Sequence, residues 1–339
     1  MSKLILSLDG GGIRGAATTQ FLAHVEQQLQ AQHQKSIRDC VDFYAGTSTG
    51  SIIALALATT NMTMAAINEL YNVNNAKRIF TENKGLFEID GINAPKYEAK
   101  GKQQVLKDNL QTATIGDVPK NKHVLAVTYG IEQRHPVVIK STKAAHCSLQ
   151  SYQVADASSA APTYFPTKEL MMPPEDDEFW LVDGGVIANN PTMCAIAEAR
   201  KAWQVALSEL RVLSVGTGFM TRKINGAASK GWGAMQWMTK GHILDILSDE
   251  RVVAYQAMTI LDPGHYIRIN SEMRQSSFLP TPPDDAMDDV SRTNIKRLKL
   301  MGDFWFEQYG DATVELLAGG YKGPSLDRID PKTGKPIVS

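Results

Sequence analysis

Short, continuous apolar runs alternate along this chain with longer stretches whose apolar residues recur at helical spacing. Leu4–Leu8 is apolar and short, as a strand buried on both faces should be. Gly15–Leu29 follows with Ala16, Ala17, Phe21, Val25 and Leu29 near one helical face. "CVDFYAG" (Cys40–Gly46) predicts a second strand, and Ser48–Ala58, apolar on nearly every side, a buried helix. Helices are expected over Thr63–Asn75 and Lys102–Leu110, and strands at "HVLAVTYGI" (His123–Ile131) and "PVVIKS" (Pro136–Ser141). "FWLVDGG" (Phe179–Gly185) predicts a strand ending in a turn; "NNPTMCAIAEARKAW" opens a helix with Pro191 near its first position, where a missing N–H costs nothing. "LRVLSVGTG" (Leu210–Gly218) repeats the strand-to-glycine pattern. Beyond it, Ile243–Leu261 and Ser291–Leu317 are expected to be mainly helical, joined by "YIRIN" and the proline- and acid-rich Pro280–Asp289. Strand–helix alternation predicts an α/β fold with a mainly parallel sheet and right-handed crossovers.

Composition narrows the function classes. The 339 residues carry 35 basic and 36 acidic side chains, with no long basic run, which argues against a dedicated nucleic-acid binder. The apolar stretch before Asp9 is too short for a signal peptide, and Ser51–Ala58 falls far below the roughly 20 residues that span a bilayer. A cytoplasmic protein, peripheral on a membrane when active, is the expectation. Cys40, Cys147 and Cys194 are scattered and lack C-x-x-C spacing, and the histidines show no ligand spacing, so neither a disulfide framework nor a metal site is expected.

Two glycine turns carry the candidate chemistry. Gly10, Gly12 and Gly15 match G-x-G-x-x-G after a strand, the dinucleotide fingerprint. Yet the second strand ends in "AGTSTG" rather than in an acid, and Asp9 adds negative charge where a pyrophosphate would sit. The second turn, "GTSTG" (Gly46–Gly50), is G-x-S-x-G between a strand and an apolar helix, the context of a nucleophile elbow, with Gly46 and Gly50 flanking Ser48. Consecutive strand–helix turns put Ser48 and the amides of Gly11 and Gly12 at one edge of the sheet, which suits a nucleophile beside an oxyanion hole. Serine needs a base. Asp183, ending an apolar strand in "LVDGGVIANNP", is the candidate, with burial raising its pKa toward useful basicity.

Together these motifs resemble the patatin-like phospholipase family. "DGGGIRG" (Asp9–Gly15) resembles its oxyanion motif, "GTSTG" its nucleophile motif and "DGG" (Asp183–Gly185) its aspartate motif. "ASSAAPTYFP" (Ala157–Pro166), "NNP" (Asn189–Pro191), "SVGTG" (Ser214–Gly218) and "GWGAMQW" followed by "ILDILSDERVVAYQ" are similar to family segments, so the likeness runs from about residue 3 to about residue 270. The resemblance implies a three-layer α/β/α sandwich in one domain over 1–339, with a catalytic core at about 3–218 and a mainly helical part at about 219–320 packed on it. It implies a Ser48–Asp183 dyad, an oxyanion hole drawn from Gly10, Gly11, Gly12 and Ile13 with Arg14 holding that loop or a phosphate, and a turn at Gly184 and Gly185. It also implies cleavage of membrane phospholipid esters through an acyl-enzyme without a cofactor. A bacterial branch of the family looks to be switched by signalling cyclic nucleotides, and a chain without a signal resembles it in that respect, which makes such an activator an expectation to test. Three alternatives stay open: an α/β-hydrolase triad of Ser48, Asp183 and His242 or His265; a nucleotide binder; and a storage or binding protein. "APTYFP", Met171–Met172 and "AMQWM" (Ala234–Met238) are candidates for an apolar, interfacial surface.

Overall fold

The computed structural model describes residues 2–84, 93–241, 243, 246 and 249–338. Its strands are β1 (Lys3–Leu8), β2 (Phe43–Thr47), β3 (His123–Gly130), β4 (His135–Lys140), β5 (Lys168–Met172), β6 (Asp177–Asp183), β7 (Leu210–Val215), β8 (Tyr266–Ile269), β9 (Leu326–Ile329) and β10 (Pro336–Val338). They form one sheet in the order β10-β9-β8-β7-β1-β2-β3-β6-β5, with β4 also paired to β3. The strands from β9 to β3 along that order run parallel, and antiparallel pairs close both ends.

The central strands are mostly apolar because both faces are covered. Leu4, Leu6 and Leu8 of β1 point into one core and Ile5 into the other; Val124 and Ala126 of β3 oppose Leu125 and Val127 in the same way. The first core lies under the helices Gly15–His33, Thr49–Thr59, Ser151–Ser158 and Arg292–Ala318, the second under Thr192–Trp203 and Arg251–Ile260. Helix, sheet and helix therefore make three layers, as expected. Among the described residues no helix is long and apolar enough to cross a membrane.

The structure departs from the expected elements in several places. "YIRIN" is no joint between helices: Tyr266–Ile269 is β8, fully buried beside β7. The single helix expected over Thr63–Asn75 is two, Met64–Glu69 and Val73–Ile79. Asn72 breaks it, because its side chain accepts from the Asn75 N–H at 2.9 Å and caps a new start. The acidic stretch before Phe179 turns a hairpin between β5 and β6, so β6 begins at Asp177.

Pairing along β3 positions the site. One edge of β3 takes β4. The other is shared: His123–Val127 pair with β2, and Thr128–Gly130 with the antiparallel β6. Thr47, the last residue of β2, sits opposite Val127, while Asp183, the last residue of β6, sits opposite the next residue, Thr128. The two strands thus meet head to head, and the residues at their tips, Ser48 and Asp183, become neighbours.

Candidate active site

Ser48 follows β2 with φ 53° and ψ −123°, a conformation that strains any L-residue with a side chain. The turn is tight enough that only glycines fit around it. A Cβ on Gly50 would lie 2.1 Å from the Leu8 carbonyl oxygen, and one on Gly46 would lie 2.3 Å from the Gly50 carbonyl oxygen. The turn is held by Ser158, whose hydroxyl accepts from the Ser48 N–H at 3.1 Å and donates to the Val127 carbonyl at 2.7 Å. Ser48 thereby stands at the N-terminus of the helix Thr49–Thr59, where the helix dipole favours developing negative charge.

The Ser48 hydroxyl lies close enough to the Asp183 carboxyl group to favour its ionised form, and both residues line one cavity. Asp183 is buried, its own N–H donates to the Ala160 carbonyl at 3.0 Å, and its Oδ1 accepts from the Gly185 N–H at 2.7 Å. Gly184 packs against the Val127 carbonyl, so the turn after Asp183 rests on β3. Burial pushes the Asp183 carboxyl up from 3.8 to about 6, against the Ser48 hydroxyl, the Gly185 N–H and the Lys102 ammonium, which pull it down. A carboxylate in that range is ionised at neutral pH yet basic enough to take a proton from an attacking hydroxyl.

The glycine loop after β1 lies across from this pair. Gly10 donates its N–H to the Asn189 carbonyl at 3.0 Å, and Ile13 donates its N–H to the Met287 carbonyl at 2.9 Å. Within the expected oxyanion set, the Gly10 and Ile13 amides are thus already engaged in the protein. Among the described residues, Gly11 and Gly12 keep N–H groups without an acceptor in the protein, and both residues line the cavity that Ser48 and Asp183 line. Gly12 holds φ 57°, and a Cβ there would strike the Met287 carbonyl oxygen at 2.3 Å. Arg14 braces the loop through Nε, which donates to the Gly11 carbonyl at 3.3 Å, and through a second nitrogen to the Asp285 carbonyl at 3.4 Å.

Several site residues were not identified from the sequence. Asp9, which argued against a bound phosphate, forms a doubly hydrogen-bonded ion pair with Arg268 of β8, and both side chains are fully buried. Burial lowers the affinity of Arg268 for its proton, but Asp9 and Glu250 more than offset that and hold the guanidinium charged. The pair anchors the root of the glycine loop. On the other side Lys102, buried beneath the Phe165 ring, donates to the Asp156 and Ser159 carbonyls at 3.0 and 2.8 Å. It also pairs with the Asp156 carboxylate, 3.1 Å away, which Lys168 contacts at 3.1 Å. Burial pushes Asp156 up, yet the two lysines hold it below its ordinary value. A sequence signal existed only for Asp9 and Asn189, which sit in the motifs.

A cavity of about 650 Å³ opens from the pair, inside the roughly 300–1,000 Å³ range of ligand pockets. Its floor is apolar, with Ile52, Leu70, Ile79, Phe80, Val105 and Leu106. Tyr164 and Phe165 of "APTYFP" line it too, while Met171 is exposed on β5. His265 does not approach it: its Nδ1 lies 3.1 Å from the carbonyl of Leu210, the first residue of β7, at the opposite edge of the sheet from Ser48. His242 lies outside the described residues. Among the described residues no group of three or more His, Cys, Asp or Glu side chains is placed to hold a metal ion.

Comparison with known proteins gives the same assignment. Residues 6–196 match the family model of the patatin-like phospholipases. The chain is 28% identical to patatin-like protein 2 of Oryza sativa subsp. indica over 360 residues, covering 94% of this chain and 86% of that one. It is 30% identical to patatin-like protein 2 of Arabidopsis thaliana over 277 residues, 72% of this chain and 67% of that one. Patatin group J-1 of Solanum tuberosum is 25% identical over 88% of this chain and 82% of its own length. VipD from Legionella pneumophila shares the fold, with a TM-score of 0.50 at 13% identity over 95% of this chain and 67% of that one. The chain belongs to the patatin-like phospholipase family.

Proposed function

We propose that this lipid acyl hydrolase cleaves membrane phospholipids with Ser48 as nucleophile and Asp183 as its only protein base. Asp183 takes the hydroxyl proton as Ser48 Oγ attacks the ester carbonyl carbon, and the Gly11 and Gly12 N–H groups receive the oxygen that turns negative. The tetrahedral intermediate collapses, the C–O bond of the ester breaks, and protonated Asp183 returns the proton to the leaving alkoxide, freeing lysophospholipid. Water then attacks the acyl-Ser48 ester with Asp183 as base, and fatty acid leaves. The observation that carries this reading is a serine on a strained elbow beside a buried carboxyl, both lining a largely apolar cavity that Gly11 and Gly12, whose amides have no acceptor among the described residues, line as well.

Mass spectrometry of products from mixed phospholipid vesicles tests it. The wild type is expected to release free fatty acid and lysophospholipid, and Ser48→Ala and Asp183→Asn neither. Equal product from either variant would remove that residue from its role. Control by a cyclic nucleotide is tested in the same assay with a panel of cyclic di- and trinucleotides; no stimulation by any of them removes it.

A further inference from the structure

The segment leaving the carboxyl end of β7 is built unlike the rest of the surface. Residues 219–244 contain Arg222, Lys223, Lys230 and Lys240 and not one Asp or Glu. Among the segment's described residues, two short helices, Gly226–Ser229 and Ala234–Thr239, bury no residue. Met235 is 78% exposed and Met238 55%. Beside them Trp232 and Trp237 pack edge to face, ring centres 5.4 Å apart, and both remain only half-buried. Arg222 pairs with Asp285, whereas Lys223, Lys230 and Lys240 are exposed and make no ion pair among the described residues. Exposed methionine and half-buried tryptophan on and beside helices that bury no residue are poorly placed for water alone. Flanked by unpaired lysines, they have the composition of a surface that inserts aromatic and thioether groups among lipid headgroups while the cations meet anionic charge.

The position of the segment agrees with that use. It starts at Gly216–Gly218, where the Thr217 hydroxyl donates to the Gly10 carbonyl at 2.8 Å. Farther along, Arg222 binds the side chain of Asp285, whose carbonyl accepts from Arg14 of the glycine loop. The surface is therefore tied to the rim of the catalytic cavity.

We propose that residues 219–240 are the surface on which the protein docks to an anionic bilayer, setting the cavity mouth against the lipid. The proposal rests on the phospholipase reading for its biological sense, but its test does not need turnover. The full-length Ser48→Ala protein is sedimented with vesicles of phosphatidylcholine alone or mixed with phosphatidylglycerol, at low and high salt. Binding is expected to the mixed vesicles, to weaken with salt, and to fall about 30-fold in Lys230→Gln/Lys240→Gln, since each lysine near an anionic surface contributes roughly a fivefold factor. Met235→Ser/Met238→Ser is expected to weaken binding at both salt concentrations.

Hydrolysis of a water-soluble short-chain p-nitrophenyl ester by the same substitutions in the Ser48 background is expected to be unchanged. That assay reports folding, and its failure in the wild type would count against the hydrolase reading alone. Docking is overturned if the parent ignores both vesicles, if it binds them equally at all salt concentrations, or if the variants bind like the parent. It is also overturned if the patch proves to join two copies of the chain, seen as a dimer in sedimentation velocity that the methionine variant dissociates.

Discussion

Replacing Asp183 by Asn separates catalysis from stability and puts a magnitude on the burial of the base. Asn keeps an acceptor oxygen for the Gly185 N–H and the Ser48 hydroxyl, but it never ionises. In the folded protein the Asp183 carboxyl titrates at about 6 rather than 3.8, chiefly because it is buried. A folded-state value above the ordinary one means that the carboxyl favours folding relatively more in its protonated form. Its contribution is intact below about pH 3.8 and is lost as the pH rises through about 6. At pH 8 the folded protein therefore holds a desolvated charge that the unfolded chain would carry in water. The cost is about 3 kcal/mol at 1.36 kcal/mol per pH unit. With roughly 2.1 cal/mol/K of unfolding entropy per residue, the chain gains stability equal to about 4 °C in Tm when that charge is removed. Asp183→Asn is thus expected to be inactive, to melt about 4 °C above wild type at pH 8, and to lose that advantage as the pH falls toward 4. Differential scanning calorimetry across that range measures it. A variant that melts no higher at pH 8, or a gap that stays constant with pH, would refute the reasoning from a buried, charged base.

Other consequences are as direct. For a soluble ester, kcat/KM is expected to rise about tenfold per pH unit up to about pH 6 and then level; Lys102→Met, which removes a cation that pulls Asp183 down, shifts this limb to higher pH in the same titration. Ser48→Gly and Ser48→Ala are both expected to be inactive, but Gly accepts φ 53° without strain, so it should be the more stable by about 1 kcal/mol in urea denaturation. Arg268→Met strands the Asp9 and Glu250 carboxylates in the interior and is expected to cost about 3–5 kcal/mol in the same assay, part of which Asp9→Asn restores.

The central strands and the flanking helices were legible because burial on both faces writes itself into a sequence as unbroken apolar runs. Ser48 and Asp183 were legible because each closes such a run at a glycine turn. The contacts that finish the site were not, since each joins residues distant in the chain. "YIRIN" is expected as a connection, and only Asp9, reached through the fold, lets Arg268 sit in the interior of a strand. Lys102 opens a helix the sequence predicts, but nothing local to it announces Asp156 or the ring of Phe165. Gly10 and Ile13 looked like equals of Gly11 and Gly12, because which amide is taken depends on the carbonyls of Asn189 and Met287.

The divided edge of β3 has one more effect. Ser48 and Asp183 hang from separate strands that do not pair with each other, and the register of β6 on β3 spans three positions, Thr128, Tyr129 and Gly130. Peeling the outer hairpin β5–β6 away would part the acid from the alcohol while the parallel strands stayed assembled. On the proposed mechanism, catalytic competence is accordingly a property of a seam, and loosening that seam is expected to withdraw it without dismantling the parallel sheet.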